Sequence, residues 1–192
     1  SQIYTVKRLD SMAFEWQLKE IELTEKYDLE NYNISQTYSQ ISSYYINTNQ
    51  PEKALEALKK ADATAYSPTQ KISVQLEYVN YYSKFGDMQA AEKILNECKT
   101  AFDQDKRLWS IKKRLYNIEY VYYLQSKQYP KALEAAKKQE AEELNLSESI
   151  QNSVHYLTKG KIYSNMGNMS EAIKYLQMYI EAEDSLKIAN EQ

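Results

Sequence analysis

The stretch Tyr163–Ala172, with the sequence YSNMGNMSEA, decides the fold, because an aromatic residue, a glycine turn and a small residue follow one another closely. A similar order, in which a turn leads into a small residue, recurs at three earlier places in the chain. The small residues that follow the four turns are Ala54, Ala91, Ala132 and Ala172. They are separated by 37, 41 and 40 residues, and a period of this size indicates a repeat architecture.

Further positions recur at fixed distances from these four alanines. Nine residues before each alanine stands a tyrosine: Tyr45, Tyr82, Tyr123 and Tyr163. Sixteen residues before them stand Tyr38, Gln75, Tyr116 and Tyr156, and four residues after them stand Leu58, Leu95, Ala136 and Leu176. Helical spacing places these positions on one face, so we expect a buried seam in which the small alanines let two helices approach and aromatic rings fill the gap.

The composition also predicts helices, because only 3 Gly and 3 Pro interrupt 192 residues that are rich in Ala, Leu, Glu, Lys and Gln. No apolar run approaches the length of a membrane-spanning helix. The hydrophobic period and the turn signals predict an all-α chain with nine helices. They are expected at about residues 8–27, 32–48, 51–65, 69–85, 88–101, 107–127, 130–143, 147–166 and 170–187.

Finer features of these helices can also be predicted. Phe14, Trp16, Ile21 and Leu23 suggest that the first helix packs on its neighbour. In the pairs Tyr44-Tyr45, Tyr81-Tyr82 and Tyr122-Tyr123, the second ring lies in the seam and the first is expected to be exposed. Helix starts are predicted by capping-box spacing at Asn49 with Glu52, Asn145 with Glu148, and Asn168 with Glu171.

The sequence offers no catalytic, metal-binding or cofactor-binding site. His155 has no second histidine to work with, and Cys98 stands where a compact buried residue fits, so both are interpreted as structural. Adjacent acids such as Glu142 and Glu143 point in different directions on a helix and are interpreted as a solvated face. Phosphate-binding glycine loops and serine elbows do not occur.

Charge and termini limit the range of partners. The net charge of -3 argues against a nucleic-acid partner, although 19 tyrosines could in principle stack on bases. A single cysteine cannot form an internal disulfide and leaves the compartment open. The chain starts at Ser1 with neither an initiator methionine nor an apolar signal segment, so we expect a processed or truncated protein.

The recurring residues resemble the tetratricopeptide repeat family over about residues 31 to 182. The last unit matches the family pattern best, through Tyr156, Gly160, Tyr163, Gly167 and Ala172. The resemblance implies a right-handed α-solenoid of antiparallel helix pairs, in one domain over residues 1–192. Residues 1–30 would form an N-terminal helix or cap, followed by repeats at 31–68, 69–106, 107–146 and 147–192. The sequence departs from the pattern at Asn49 and Lys127, which replace Gly, and at Tyr120, Gln139 and Tyr179, which replace small residues.

In this family the first helices of successive repeats line a concave trough that binds protein or peptide. The matching positions here are Gln36, Ser39, Ser43, Ile46, Ser73, Leu76, Asn80, Ser83, Arg114, Asn117, Val121, Leu124, Val154, Leu157, Lys161 and Ser164. Because they face this trough, we hypothesise that Asn80 and Asn117 grip a peptide backbone and that Arg114 or Lys161 meets a carboxylate. Leu124 and Leu157 are further candidate residues of the same groove. The alternative is that these residues simply form a solvated face.

The tail Tyr179–Asn190 resembles the end of the helical sensor regions of membrane-bound regulators from Bacteroides-like bacteria. This resemblance implies a non-catalytic binding scaffold that senses a ligand for a signal-transduction or transcription-regulatory protein. Such a region would lie on the periplasmic side of the inner membrane, reach the membrane only through flanking segments, and could form a homodimer. The main alternative is a stand-alone cytoplasmic adaptor in a multiprotein complex, and a weaker one is an enzyme with an unrecognised site.

Overall fold

The computed structural model describes residues 2–27, 33–142 and 148–190, and side chains at 12–27, 33–142 and 153–185. The described residues form nine α-helices and one 3-10 helix, with no β-strand. This confirms the predicted all-α class of antiparallel helix pairs. The chain divides into two compact units, residues 1–94 and residues 95–192, which are described separately.

The first unit contains helices α1 to α4 and the beginning of α5, and the second unit contains the rest of α5 and all later elements. The helices α1 (Gln2–Tyr27), α2 (Ile34–Asn47), α3 (Pro51–Thr64) and α4 (Pro68–Phe85) lie in the first unit, and α5 (Met88–Gln104) begins there and ends in the second. The later elements are a 3-10 helix (Lys106–Ile111), α6 (Lys112–Gln125), α7 (Tyr129–Glu142), α8 (Glu148–Asn165) and α9 (Met169–Asn190).

Two helix boundaries differ from the sequence prediction. Helix α1 begins at Gln2 rather than near residue 8. The segment expected to open a long helix at residue 107 is instead a 3-10 helix, Lys106–Ile111. The carboxylate of Asp105 accepts hydrogen bonds from the backbone and the guanidinium of Arg107, which hold its pKa below the ordinary value. This local bonding starts a tighter turn before α6 begins.

Three of the interhelical turns share one backbone arrangement, and in each the recurring tyrosine takes part. The amide of Gln50 donates to the carbonyl of Tyr45, that of Gln128 to Tyr123, and that of Asn168 to Tyr163, over 2.9, 2.8 and 3.0 Å. The residue before each donor has a left-handed backbone: Asn49 and Lys127 at φ 60° and Gly167 at φ 76°. This is the Schellman ending of a helix, so Asn49 and Lys127 occupy the position that glycine usually takes.

The turn geometry also shows which of the predicted helix caps form. The capping box at Asn49 is wrong, because Asn49 closes α2 and Gln50 precedes α3 without a side-chain hydrogen bond. At Asn168 the cap is present, since its Oδ1 accepts from the amide of Glu171 at 3.3 Å. The cap expected at Asn145 lies outside the described residues. A complete capping box that the prediction missed joins Ser67 and Gln70 at the start of α4.

The recurring seam is present in both units. Ala54, Ala91, Ala132 and Ala172 are all buried, as expected. Their tyrosine partners are half-buried, and none of the four rings is fully exposed. In the first unit Tyr45 packs against a core that includes Ile41, Ala57 and Ala61. In the second unit Tyr123 packs against Ala132, Ala136 and Ile162, and Tyr163 stacks on Tyr175 with ring centroids 5.5 Å apart.

The first unit is held together by small hydroxyl residues and by α1. Ser35 and Ser42 of α2 donate to the backbone carbonyls of Ala61 and Ala54 of α3, at 2.8 and 3.0 Å, which brings the two helices close together. Helix α1 covers α2 through Phe14, whose ring stacks on Tyr44 with centroids 3.9 Å apart, and through the buried Ile21.

Three predicted side-chain environments are wrong. Trp16 is 67% exposed and Leu23 is also exposed, because the contact of α1 with α2 uses Phe14 and Ile21 instead. Tyr122 was expected to be exposed, but it is buried and its ring meets Tyr123 edge-on with centroids 5.3 Å apart.

Candidate protein-interaction site

In the first unit, several residues that were expected to line a trough are covered. Ser39, Ile46, Leu76 and Ser83 are buried, so the prediction that they face a ligand is wrong. Helix α2 packs not only on α3 but also on α1 and α4, which leaves little of its surface open.

Asn80 belongs to a polar network inside the first unit. Its Nδ2 donates to Oε1 of Glu77 at 3.0 Å, and the Ser43 hydroxyl of α2 donates to the same oxygen at 2.5 Å. Glu77 is only 3% exposed, and a buried carboxylate needs such donors. The half-buried Asn80 therefore helps to satisfy the carboxylate that Ser43 of α2 also binds, and its role in gripping a peptide remains a prediction.

In the second unit, the predicted face is more accessible. Asn117 of α6 and Lys161 of α8 are exposed, whereas Leu157 of α8 is half-buried. Arg114 is half-buried, and Leu124 packs at the edge of the core formed by Ala132, Ala136 and Ile162. Two further predicted residues of α8, Val154 and Ser164, are exposed. The second unit thus offers mixed polar and apolar side chains along α6 and α8.

Two ion pairs fix these helices against the helices that precede them. Lys99 Nζ of α5 lies 2.8 Å from Oε1 of Glu119 on α6, and Lys159 Nζ of α8 lies 2.6 Å from Oε2 of Glu140 on α7. Glu119 and Lys159 are buried. Burial acts to lower the pKa of Lys99, but the hydrogen bond and charge of Glu119 outweigh it and raise that pKa. Each pair therefore joins one buried charged side chain to a partner that is one-third exposed or more.

The two pairs occupy one recurring position. In each, the residue eight positions after a repeat alanine meets the residue thirteen positions before the next one. In the first unit the same offsets bring together Asp62 and Tyr78. Burial raises the pKa of the Tyr78 phenol, and the nearby charge of Asp62 raises it further. We call this position the hairpin junction, with members Asp62·Tyr78, Lys99·Glu119 and Glu140·Lys159.

The residues that were interpreted as structural are enclosed. His155 is buried in the second unit. Cys98 is buried as well, and burial followed by the charge of Glu97 raises the pKa of its thiol to about 12, which leaves it unreactive near neutral pH. Within the described part of the chain, no group of acidic, His and Cys side chains is arranged to hold a metal ion. The helices described there are also too short or too polar to cross a membrane.

The sequence prediction missed a cavity of about 400 Å³ in the second unit. It lies among α5, the 3-10 helix, α6 and α7, and its lining includes Phe102, Trp109, Lys112, Leu115 and Tyr116. The only signal in the sequence was the aromatic Trp109 between Lys106 and Lys112, in the 41-residue interval that separates Ala91 from Ala132. That signal does not reveal which other helix borders the site.

Comparison with known families agrees with this architecture. The family model described as 26S proteasome subunit RPN7 matches residues 5–135, which is more than half of the chain. The chain belongs to this family. A model of the tetratricopeptide repeat matches residues 156–185, so the α8–α9 hairpin is similar to a tetratricopeptide repeat. This confirms the family resemblance seen in the sequence, while the likeness to Bacteroides-type sensor regions remains a prediction.

Two solved structures share the fold. The crystal structure of MamA is 19% identical, with 95% of this chain and 94% of that chain covered and a TM-score of 0.51. A Podosopora anserina protein described as a kinesin light chain with nearly identical TPR-like repeats is 16% identical, with 96% and 92% covered and a TM-score of 0.51. A comparison with curated proteins finds no match. Tetratricopeptide repeats suggest a protein-interaction scaffold, which agrees with the coarse functional prediction.

Proposed function

We propose that this scaffold is the ligand-sensing part of a bacterial signal-transduction or transcription-regulatory protein, and that it binds a protein or peptide along α6 and α8. The observation that carries the proposal is the exposure of Asn117 and Lys161 on two helices that α7 and α9 hold in place. Exposed polar groups on a rigid support can recognise a partner without first being ordered. The sensing role itself rests on the resemblance of Tyr179–Asn190 to the end of bacterial sensor regions.

Site-specific cross-linking tests the binding face. We expect p-benzoylphenylalanine in place of Asn117 or Lys161 to capture a protein partner in cells. The same group in place of Lys174, which is also exposed but lies on α9, should capture none. Replacing Asn117 and Lys161 by alanine should then weaken binding of the captured partner by about tenfold. Equal capture from all three positions would contradict the proposed face.

Sensing requires that the partner changes the position of the last helix, and this can only happen through different affinities for two arrangements. Spin labels at Glu134 of α7 and Glu181 of α9 would report that change, because both positions are exposed while Cys98 is buried and resists labelling. We expect the distance distribution to shift when the partner binds. An unchanged distribution at saturation would contradict a sensor and leave a passive scaffold.

The alternative is an adaptor in a multiprotein complex, and the match to the family of a 26S proteasome subunit favours it. The gene sequence after Gln192 separates the two functions. A membrane-bound regulator predicts an apolar segment of about 20 residues soon after that point, since this length crosses a bilayer. A stop codon directly after Gln192 would favour the adaptor.

A further inference from the structure

The cavity of about 400 Å³ in the second unit is built as a binding site. The buried side chains of Phe102 and Leu115 supply apolar lining, and Trp109 is 55% exposed at the 3-10 helix. Lys112 and Lys138 add two ammonium groups to the lining. A cavity of this size has room for about one or two amino-acid side chains. Its lining also includes Lys99, Asp103 and Glu119, so three basic and two acidic side chains stand beside the apolar ones.

The arrangement of lysines around the rings favours an anionic ligand over a cationic one. The Lys112 ammonium lies 5.4 Å from the ring centroid of Trp109 and 5.6 Å from that of Tyr116, and the Lys106 ammonium lies 5.7 Å from Trp109. Both rings therefore already interact with the protein's own cations, which would repel an incoming cation. An incoming carboxylate would instead meet positive charge next to aromatic surface.

Two of the lysines can exchange their present partners for a ligand. Lys112 pairs with Glu142 at 3.1 Å, and Lys138 pairs with Glu134 at 2.7 Å. The side chains of both pairs are one-third exposed or more, and such solvated pairs contribute little. The Lys99–Glu119 pair, also in the lining, is different, because Glu119 is buried and holds α6 to α5.

We propose that this cavity binds a segment of a partner protein in which a large apolar side chain stands next to acidic residues. The apolar side chain would contact Phe102, Leu115 and Trp109, while a neighbouring carboxylate would bind Lys112 and Lys138. The inference goes beyond the proposed function, because it assigns a second binding site and the chemistry of the segment that would occupy it. It concerns a surface other than the predicted face of Asn117 and Lys161.

The tryptophans make a direct test feasible. The chain has 2 of them, and Trp16 is 67% exposed in the first unit, so Trp16→Phe leaves Trp109 as the single fluorescent indole. The probe is the acetylated and amidated peptide Gly-Glu-Phe-Glu-Gly. We expect a saturable change in Trp109 emission as peptide is added. The affinity derived from it should fall as salt is added, because salt screens the attraction between the carboxylates and the lysines. An unchanged emission up to millimolar peptide would overturn the proposal.

Matched peptides separate the two parts of the recognition. The peptide Gly-Gln-Phe-Gln-Gly, which lacks the carboxylates, and Gly-Glu-Ala-Glu-Gly, which lacks the ring, should each bind about tenfold more weakly. Equal affinities for the three peptides would contradict the proposed chemistry. 3-Phenylpropionate carries a ring and a carboxylate without a peptide, and tighter binding of this acid than of the probe would assign the cavity to a small aromatic acid instead.

Charge variants test the lysines in both directions. Lys112→Gln with Lys138→Gln should weaken probe binding about tenfold, and Lys174→Gln, which removes one positive charge from α9, should leave it unchanged. Asp103→Asn removes an exposed negative charge from the lining and should strengthen binding by about two- to threefold. Because this variant predicts a gain, poor folding cannot mimic it. The assignment would be refuted if Asp103→Asn bound the probe no more tightly than the unmodified chain and the double lysine variant bound it with full affinity.

The two proposals fail in different ways. If the Lys112 and Lys138 variant binds the probe peptide as tightly as the unmodified chain, while Asn117 still captures a partner, the cavity proposal fails and the proposed function stands. If the probe binds as expected but no partner is captured through Asn117 or Lys161, the cavity stands and the proposed face fails.

Discussion

The two units form the hairpin junction in different ways. In the first unit the junction consists of an exposed Asp62 near the Tyr78 phenol, and buried serine hydroxyls that donate to backbone carbonyls hold α2 to α3. In the second unit the junction consists of two ion pairs with opposite polarity, Lys99–Glu119 and Glu140–Lys159. The position therefore requires complementary partners rather than one particular residue type.

This difference has an energetic consequence. A buried ion pair gains little over an apolar contact, but removal of one partner leaves a charge without compensation in a poorly hydrated place. The second unit should therefore be more sensitive to single substitutions at the junction than the first. Where the partner is an exposed aspartate beside a phenol, water can replace the lost interaction.

The largest contrast is expected between Glu140→Ala and Asp62→Ala, which remove the same repeat position from the two units. Glu140→Ala leaves the buried Lys159 without its carboxylate and should lower the free energy of unfolding by about 2 to 3 kcal/mol, discounted because Glu140 is one-third exposed. Asp62→Ala should cost less than about 1 kcal/mol. Urea unfolding followed by circular dichroism measures both, and equal losses would contradict the contrast.

Alkaline pH provides a second comparison. Burial, and then Glu97, raises the pKa of Cys98 to about 12 in the second unit, while burial and the hydrogen bond and charge of Glu25 raise that of Tyr38 to about 12 in the first. Each folded group keeps a proton that the unfolded chain releases at lower pH. The contribution of these two groups to the free energy of unfolding is therefore fully present below about pH 9. It falls as pH rises towards 12, by up to about 1.4 kcal/mol per pH unit for each group.

Cys98→Ala and Tyr38→Phe should each flatten this decline. The readout is the slope of the unfolding free energy against pH, so the small cavity left by Cys98→Ala shifts the baseline without affecting the test. If both variants keep the slope of the unmodified chain, these two groups do not carry the alkaline loss.

A third comparison uses the position twelve residues before the repeat alanine. It is Ser42 in the first unit, where the hydroxyl donates to Ala54, and Gly160 in the second. A Cβ on Gly160 would lie 2.9 Å from Cγ and Cδ2 of Leu176. Gly160→Ala should therefore lower stability by about 1 kcal/mol, since crowding outweighs the better helix propensity of alanine. Increased stability in thermal unfolding would show that Leu176 moves away freely.

The smallest effects are expected at the turns. Lys127 of the second unit holds a left-handed backbone at φ 60°, which is unfavourable for a residue with a Cβ. Lys127→Gly should raise stability by about 0.5 to 1 kcal/mol. Asn49→Gly, at the same φ in the first unit, should gain less because asparagine tolerates this conformation. A loss of stability in Lys127→Gly would indicate that the lysine side chain contributes more than the turn costs.

The sequence predicted the helix pairs well because small and aromatic residues recur at distances that survive the variable turn lengths. It failed at Asn49, since asparagine is favoured both at the start of a helix and in the left-handed turn that ends one. It also missed the 3-10 helix before α6, whose residues are as compatible with an α-helix. At these places the local sequence is compatible with two backbone conformations, and packing selects one of them.

The candidate site was less predictable. Ser39 and Leu76 lie on the helix face that was expected to line a trough, yet they are buried. Exposure depends on which other helices cover that face. The junction was also missed, since its members share an offset but not a residue type. The cavity brings together α5, the 3-10 helix, α6 and α7, and no pattern within one helix predicts such a meeting.

The most direct test of the recurring junction is exchange of the charges at Lys99 and Glu119. Glu119→Lys alone should place two ammonium groups together and lower the free energy of unfolding by about 3 kcal/mol or more. Adding Lys99→Glu reproduces the polarity of Glu140–Lys159 and should restore at least about half of that loss, measured as the coupling energy of a double-mutant cycle in urea. If the double variant is as unstable as the sum of the two single variants, the hairpins do not meet through one interchangeable position.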